Sequence, residues 1–536
     1  MKMIEALCKL CELESALTKP LLRYLIWRMS PMVLAMATVW SAFGEYASVA
    51  ESKAAKAARP NIIYILADDM GYGDVGFMGQ ERIQTPEMDR LAENGVIFTQ
   101  HYAGSTICTP SRAALMTGIH TGRVHADRND PERVILPEET TVAEVLRDAG
   151  YQTHFVGKWG LGGAAMADDP YVDEFGWGQG PGTLIPEQMH AIPSNRGFHT
   201  SLAYLNQVYA HLYFPMYLWR EDQKMYIPGN QSPVYEERKV YSHDLLEEET
   251  LRILRAADGS APLYLQLSYT IPHRETKAPP CANPYRDEDW PEVEQAYAAM
   301  ITYLDATVGR ILDTVKASPH LAENTLLILA SDNGAQHTDG HSAYFFNSNG
   351  PLRGNKRDLY EGGIRVPTAM HWESVIPPGT RTDHVSAFWD FLPTAAELAG
   401  TAVLEGLDGI SFAPTLTGEG IQQQHDLLYW VFYEGAGGPD GAGGVHIPQR
   451  VAIRQGSWKL LVLADNTVEL YHLDEDPAET NNLATVLPEK RQELLSLAKT
   501  ETMRRPEGPD PMIIELTIFD TVAPPWPSPV QHQSRN

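Results

Sequence analysis

Four segments of this chain end an apolar run in residues able to do chemistry. They are Asp68-Asp69 after NIIYILA, Lys158 after YQTHFVG, His273 in TIPHRE after APLYLQLSY, and Asp332-Asn333-Gly334 after NTLLILAS. Singly, each has a plain alternative. Asp-Asp and Asp-Asn-Gly form turns, a lysine serves as a surface charge, and a histidine is satisfied within a proline-bounded loop. Four such groups at equivalent strand ends exceed what turn chemistry requires, because open parallel sheets bind ligands at the carboxyl ends of their strands. Asp68, Asp69, Asp332 and Asn333 offer oxygen ligands only, three of them carboxylates. That set suits a hard divalent cation, Ca²⁺ ahead of Mg²⁺, and ranks zinc lower because zinc draws on histidine or thiolate. Cys108 stands where a helix begins, in STICTPSRAALMTG (105–118), and reads as a buried structural thiol or a helix-terminus nucleophile. A glycine-rich segment, NGPLRGNKRDLYEGGIRVP (349–367), carries Arg353, Lys356, Arg357 and Arg365. It suits anion recognition or a solvated basic loop.

The elements that must position these groups alternate. NIIYILADD (61–69), YQTHFVGK (151–158), APLYLQLSY (261–269) and NTLLILASDNG (324–334) read as buried strands. TPEMDRLAENG (85–95), with Thr85 as N-cap and Pro86 at the first helical position, TTVAEVLRDAG (140–150) and the long amphipathic segment 296–315 read as helices. The expected fold is α/β, a large, mostly parallel sheet with helices on both faces. After residue 425, LLYWVFYE, QRVAIRQGSWKLLVL and VELYHLDEDPAE predict a small C-terminal antiparallel-sheet subdomain with a helix over 487–505. The expected organisation is an N-terminal extension (1–50), a catalytic α/β domain (59–425), an α+β subdomain (426–505) and an irregular proline-rich tail (506–536).

At 536 residues and 43% hydrophobic content the chain has ample material for a core. Its net charge of −27 argues against nucleic acid or an anionic membrane surface as partner, and requires a local basic pocket for any anionic ligand. The four cysteines, Cys8, Cys11, Cys108 and Cys281, are too few and too scattered for a disulfide framework. Lys19, Arg23 and Arg28 precede the uncharged stretch Met29 to Gly44 and then SVA at 48–50. This pattern predicts a removed signal peptide rather than a stable membrane anchor, hence a periplasmic or extracellular protein. Met29 is an alternative start.

Cys108-Thr109-Pro110-Ser111-Arg112, followed by Leu115, Thr117 and Gly118, resembles the C-x-P-S-R signature of the formylglycine-dependent sulfatases of the alkaline phosphatase superfamily. Its companions NIIYILADDMGYGD, GKWGLG, IPHRE, SDNG and KRDLYEGG follow in the family's order, and the resemblance spans roughly Pro60 to Ala484. It implies a third reading of Cys108, oxidation to formylglycine by a separate maturation enzyme. One hydroxyl of the hydrated aldehyde attacks sulfur, and the other lets the aldehyde re-form and expel sulfate. The resemblance further implies that Asp68, Asp69, Asp332, Asn333 and the modified Cys108 bind Ca²⁺. Arg112 would stabilise the hydrate, Lys158 and Lys356 would hold the sulfate, and His273 would give a proton to the leaving alcohol.

One position departs from the family. GKWHLG is common where this chain has Gly160, and the missing histidine contacts the hydrate and assists elimination in those relatives. His211, in the aromatic stretch NQVYAHLYFPMYLW (206–219), is the candidate replacement, and His337, His341 and Arg353 are candidate substrate contacts. The expected activity is removal of sulfate from a sulfated sugar or polysaccharide. The rival readings are a phosphonate or phosphodiester hydrolase of the same superfamily and a non-catalytic sulfated-glycan binding protein.

Overall fold

A computed structural model describes residues 59–174, 180–278, 283–338, 340–433, 438–439, 445–446, 449–508 and 521–522. The segment read as a signal peptide, together with Cys8, Cys11 and Cys281, lies outside these residues. From Arg59 onward the chain forms one compact unit.

Runs such as Asn61–Ala67, rich in β-branched isoleucine, have no polar face to turn to water, so they extend at the centre of a sheet covered on both sides. This strand pairs in parallel with Leu263–Ser268 on one side and Thr325–Ser331 on the other, all three buried along their length. Gln152–Lys158 and Thr200–Tyr204 extend the parallel region, and antiparallel pairing enters the ten-stranded sheet at Thr368–Trp372 on one flank and at Tyr217–Arg220 on the other. The helices form two groups packed among themselves, Pro86–Glu93, Ser242–Ala256 and Glu292–Ala317 in one, Cys108–Thr117, Val142–Asp148 and Phe391–Leu398 in the other. Thr141 starts Val142–Asp148 with a reciprocal Thr141/Glu144 capping box. The expectation for Thr85 is corrected in detail. It stands at the N-cap, but its hydroxyl accepts from Gly76 N at 2.8 Å instead of capping its own helix.

The C-terminal sheet orders Leu428–Val431, Gln449–Gln455, Trp458–Leu463 and Thr467–His472 as antiparallel neighbours. Alternation along its strands sends Ala452, Leu461 and Leu463 toward Tyr102, Ile107 and Trp389 of the large unit. Val451, Ile453, Leu460 and Val462 face the other way, against Leu494, Leu495 and Ala498 of helix Pro488–Thr502. Within the tail expected to be irregular, Thr521–Val522 adds a short parallel edge strand beside Thr467–Val468. No helix among the described residues is long and apolar enough to cross a membrane.

A buried charge cluster joins the small sheet to the basic glycine-rich segment. Lys459 Nζ lies 2.9 Å from both Glu361 Oε1 and Glu479 Oε1, all three side chains fully shielded. Burial opposes charge on Glu361, but Lys459, Arg365 and Arg454 outweigh it and hold the carboxyl low, at about 2. Burial pushes Glu479 up to about 7 against the attraction of Lys459. Arg353, expected at a substrate, belongs to this joint instead. Its NH1 donates to Tyr471 Oη and to the Glu479 carbonyl, and the guanidinium lies over the Tyr360 ring. The small sheet thus anchors the segment that carries Lys356. Lys459→Met leaves the buried Glu479 without its cation, so urea denaturation at pH 8 should show a loss of about 3–5 kcal/mol, part of it recovered by adding Glu479→Gln. A loss below about 1 kcal/mol, within the range of an exposed pair, would contradict the joint described here.

Candidate active site

Parallel pairing brings the carboxyl ends of Asn61–Ala67, Gln152–Lys158, Leu263–Ser268 and Thr325–Ser331 to one edge, and the four predicted groups meet there. Asp68, Asp69, Lys158, His273, Asp332 and Asn333 are all buried. Helix Cys108–Thr117 begins at the same edge, with Cys108 as its first residue after the extended backbone of Ile107. Ser111 Oγ donates to the Asp332 carbonyl at 2.5 Å, and Gly104 N donates to that hydroxyl, so the helix start is tied to a strand end.

Charge here is matched group by group. Lys158 Nζ lies 2.6 Å from Asp68 Oδ2, and Lys356 Nζ lies 2.7 Å from Asp69 Oδ1. Arg112 donates from both Nε and NH2 to Asp332 Oδ2, at 3.1 and 2.8 Å, reaches Asp68 Oδ1 at 3.5 Å and donates from NH1 to the Lys158 carbonyl. Burial raises the Asp332 carboxyl, and the neighbouring Asp68 adds to that. Burial opposes charge on Lys356, yet Asp69, with Cys108, Asp68 and Asp332 behind it, keeps the ammonium protonated well beyond the usual range. Asp69 sits at φ +69°, a left-handed conformation that costs a non-glycine residue energy and recurs at functional sites.

The Cys108 sulfur lies between these charges, 3.4 Å from Asp68 Oδ1 and 3.5 Å from Lys356 Nζ. Burial pushes the thiol up to about 12 despite the two lysines. The sulfur thus sits among charged groups and not in the apolar packing of a structural thiol.

His273 Nε2 is 3.0 Å from Lys356 Nζ and 3.4 Å from Asp69 Oδ2. His211 stacks on its ring, centroid to centroid 4.2 Å, so this histidine does reach the strand ends. Burial, then nearby lysines, hold both imidazoles well below their ordinary range. Outside them opens a pocket of about 260 Å³, lined by Thr109, Gly160, His211, His273 and Lys356 and by polar groups that include Asn129, Gln188, Gln207, Arg274 and Arg357.

Two other expected contacts do not come together here. His341 is buried away from the pocket with Nδ1 2.7 Å from Glu294 Oε2 and its ring stacked on Tyr297. His337 is exposed and meets the edge of Tyr344. Proximity in sequence to Asp332-Asn333 failed as a guide because the chain turns outward after Gln336, whose amide is tied to the Pro272 carbonyl. The aromatics of 206–219 are also core: Tyr209, Tyr213, Tyr217 and Trp219 are buried and none lines the pocket. Reasoning from sequence missed Asn129, Gln188 and Gln207, although Arg274 and Arg357 directly follow His273 and Lys356.

The donor set fits a hard cation. Asn333 Oδ1 is buried with no hydrogen-bond partner, while its Nδ2 donates to Asp69 Oδ1 at 2.8 Å. Ligand atoms of Asp68, Asp69, Cys108 and His273 lie within 4.8 Å of one another. A second acidic group, His120 with Asp408 and Glu501, is already neutralised by Arg123 and Arg504.

A family model described as Sulfatase matches residues 60–401, and one described as N-sulphoglucosamine sulphohydrolase, C-terminal, matches residues 354–503. Steryl-sulfatase of Homo sapiens is 27% identical over 551 residues, 86% of this chain and 91% of its own. Arylsulfatase A of Homo sapiens is 30% identical over 483 residues, 83% of this chain and 88% of its own. A crystal structure in complex with k-i-k-neocarrahexaose shares the fold with a TM-score of 0.66 at 24% identity, across 83% of this chain and 92% of that one. The first match runs through all four strand ends and the helix that opens on Cys108, so the chain belongs to the sulfatase family and is a sulfatase enzyme.

Proposed function

We propose that this sulfatase is a Ca²⁺-dependent, formylglycine-bearing enzyme that removes sulfate from a sulfated sugar, and that it works outside the cytoplasm. The observation that carries the reading is Cys108, buried between Asp68 and Lys356 and next to Thr109 and Lys356 of the pocket wall. Its C-T-P-S-R context supports oxidation to formylglycine by a maturation enzyme, and the hydrated aldehyde would supply the nucleophilic hydroxyl. Asp68, Asp69, Asp332 and Asn333 would hold the Ca²⁺, which supplies Lewis acidity toward the sulfate oxygens.

The chain's own residues do the rest. Lys158 and Lys356 bring positive charge to the sulfate. Arg112 fixes Asp332 and the backbone at Lys158, holding the site's geometry as charge shifts. The proton for the departing alcohol comes from the pair Lys356 Nζ and His273 Nε2, 3.0 Å apart. A sugar is favoured because the pocket sets amides and arginines beside apolar Pro131, Val134, Met166 and Leu205, a mixed lining that suits both the hydroxyls and the C–H faces of a sugar ring. Export rests on the basic, then uncharged, then small-residue pattern over Lys19 to Ala50.

The purified enzyme should hydrolyse 4-nitrophenyl sulfate at least about a hundredfold faster, in kcat/KM, than 4-nitrophenyl phosphate or phenylphosphonate, as differential transition-state binding requires. A preference for either phosphorus ester would instead establish the phosphonate or phosphodiester reading. Turnover of none, with retained affinity for sulfated glycans, would establish a binding protein. For the metal, Asp332→Asn keeps the side chain's shape and removes a charged ligand. Calorimetric Ca²⁺ affinity should fall at least about tenfold, the scale on which even indirect support of a metal matters, with an unchanged circular dichroism spectrum. Unaltered Ca²⁺ affinity would remove Asp332 from the ligand set.

A further inference from the structure

Gly160 adopts φ +68°, and a Cβ placed there would lie 2.6 Å from Gln207 Oε1. The approach is built into the fold. Trp159 N and Gly160 N donate to the Tyr204 and Leu205 carbonyls, so the two segments run side by side off adjacent strands. Asn206 then pins the turn, its Oδ1 accepting from Val208 N and Tyr209 N. Thr109 Oγ1, one residue from Cys108, donates to the Gly160 carbonyl at 3.2 Å. Gln207 is thereby linked to Cys108 through Gly160 and Thr109, and it lines the pocket together with His211 and Gly160.

The pocket's four amide side chains are not equivalent. The Asn129 oxygen accepts from Thr109 N, the Gln188 oxygen from Gly163 N and the Asn206 oxygen from two backbone N–H groups. Gln207 Oε1 is buried and has no donor. A buried carbonyl left without a partner costs about 1–3 kcal/mol, and the residue that carries this one lines the pocket. The sulfate cannot satisfy it, since both are acceptors. A hydroxyl of the alcohol portion can.

We infer that Gln207 recognises the substrate, its Oε1 accepting a hydrogen bond from a sugar hydroxyl next to the sulfated position, in space opened by Gly160. This rests on the sulfated-sugar reading and names the group that reads the sugar. It also separates two tasks. An amide has no proton to take or give near neutral pH, so Gln207 contributes recognition and leaves proton transfer to Lys356 and His273.

The test compares kcat/KM for galactose or N-acetylglucosamine monosulfates, whichever is turned over, with that for 4-nitrophenyl sulfate, which has no hydroxyl. Gln207→Met keeps length and removes the acceptor, and should lower the sugar-to-aryl ratio by about tenfold or more, the scale of an unpaired polar group. Gln207→Glu keeps an acceptor of the same shape and should hold the ratio within about threefold of wild type, less than the loss of one such bond. Thermal melting of each variant checks folding, and the ratio cancels any loss common to both substrates. A wild-type ratio in Gln207→Met overturns the inference and leaves the sulfated-sugar reading standing. Hydrolysis of the aryl ester with none of the sugar sulfates overturns both.

Discussion

Lys158 Nζ stands 2.6 Å from Asp68 Oδ2 with both side chains sealed from solvent, and that contact sets the terms for everything around it. A charge buried alone is intolerable, and a buried pair persists only when its remaining valences are satisfied. Lys356 on Asp69 and Arg112 on Asp332 repeat the solution, giving three carboxylates and three cations at one sheet edge. The three cations neutralise the three carboxylates at the one edge where a monoanionic sulfate ester has to enter a protein whose net charge is −27. It is local pairing, not overall field, that makes an acidic protein able to hold an anionic ester.

The rest of the fold keeps those six charges in register. Five parallel strands fix the order of their carboxyl ends, and burial on both faces leaves the strands no freedom to slip, because a one-residue shift would exchange the two faces of every strand. Lys356 alone among the cations arrives on a loop. That loop is held from behind by the small sheet, through Arg353 on Tyr471 and Glu479 and through Lys459 between Glu361 and Glu479. The C-terminal sheet therefore contributes to the site without entering it.

Much of this was legible in the sequence for a physical reason. Apolar runs too continuous for a half-exposed strand announce a parallel sheet, and polar residues at their ends then fall at one edge whatever the intervening loops do. The positions of Asp68, Lys158, His273 and Asp332 are recovered in this way. Residues more than a few positions beyond a strand end are not. His341 and Arg353 have the chemistry of ligand contacts, but their roles were decided by Glu294 and by the C-terminal sheet, partners distant in sequence. Gln207 was invisible because its position is defined by an absence, the missing Cβ of Gly160, which a sequence registers only as a departure from a pattern.

The proposed chemistry turns on the state of residue 108. In the structure its thiol is buried and pushed up to about 12, beside Asp68 and Lys356. The proposed reading has it converted to formylglycine before sulfur is attacked. Mass spectrometry of the proteolytic peptide containing Cys108, from protein whose sulfate ester turnover has been measured on the same preparation, tests this most directly. Formylglycine or its hydrate at position 108, in a fraction that tracks specific activity across preparations, is the predicted result. Full activity in protein that carries only the unmodified thiol would contradict it.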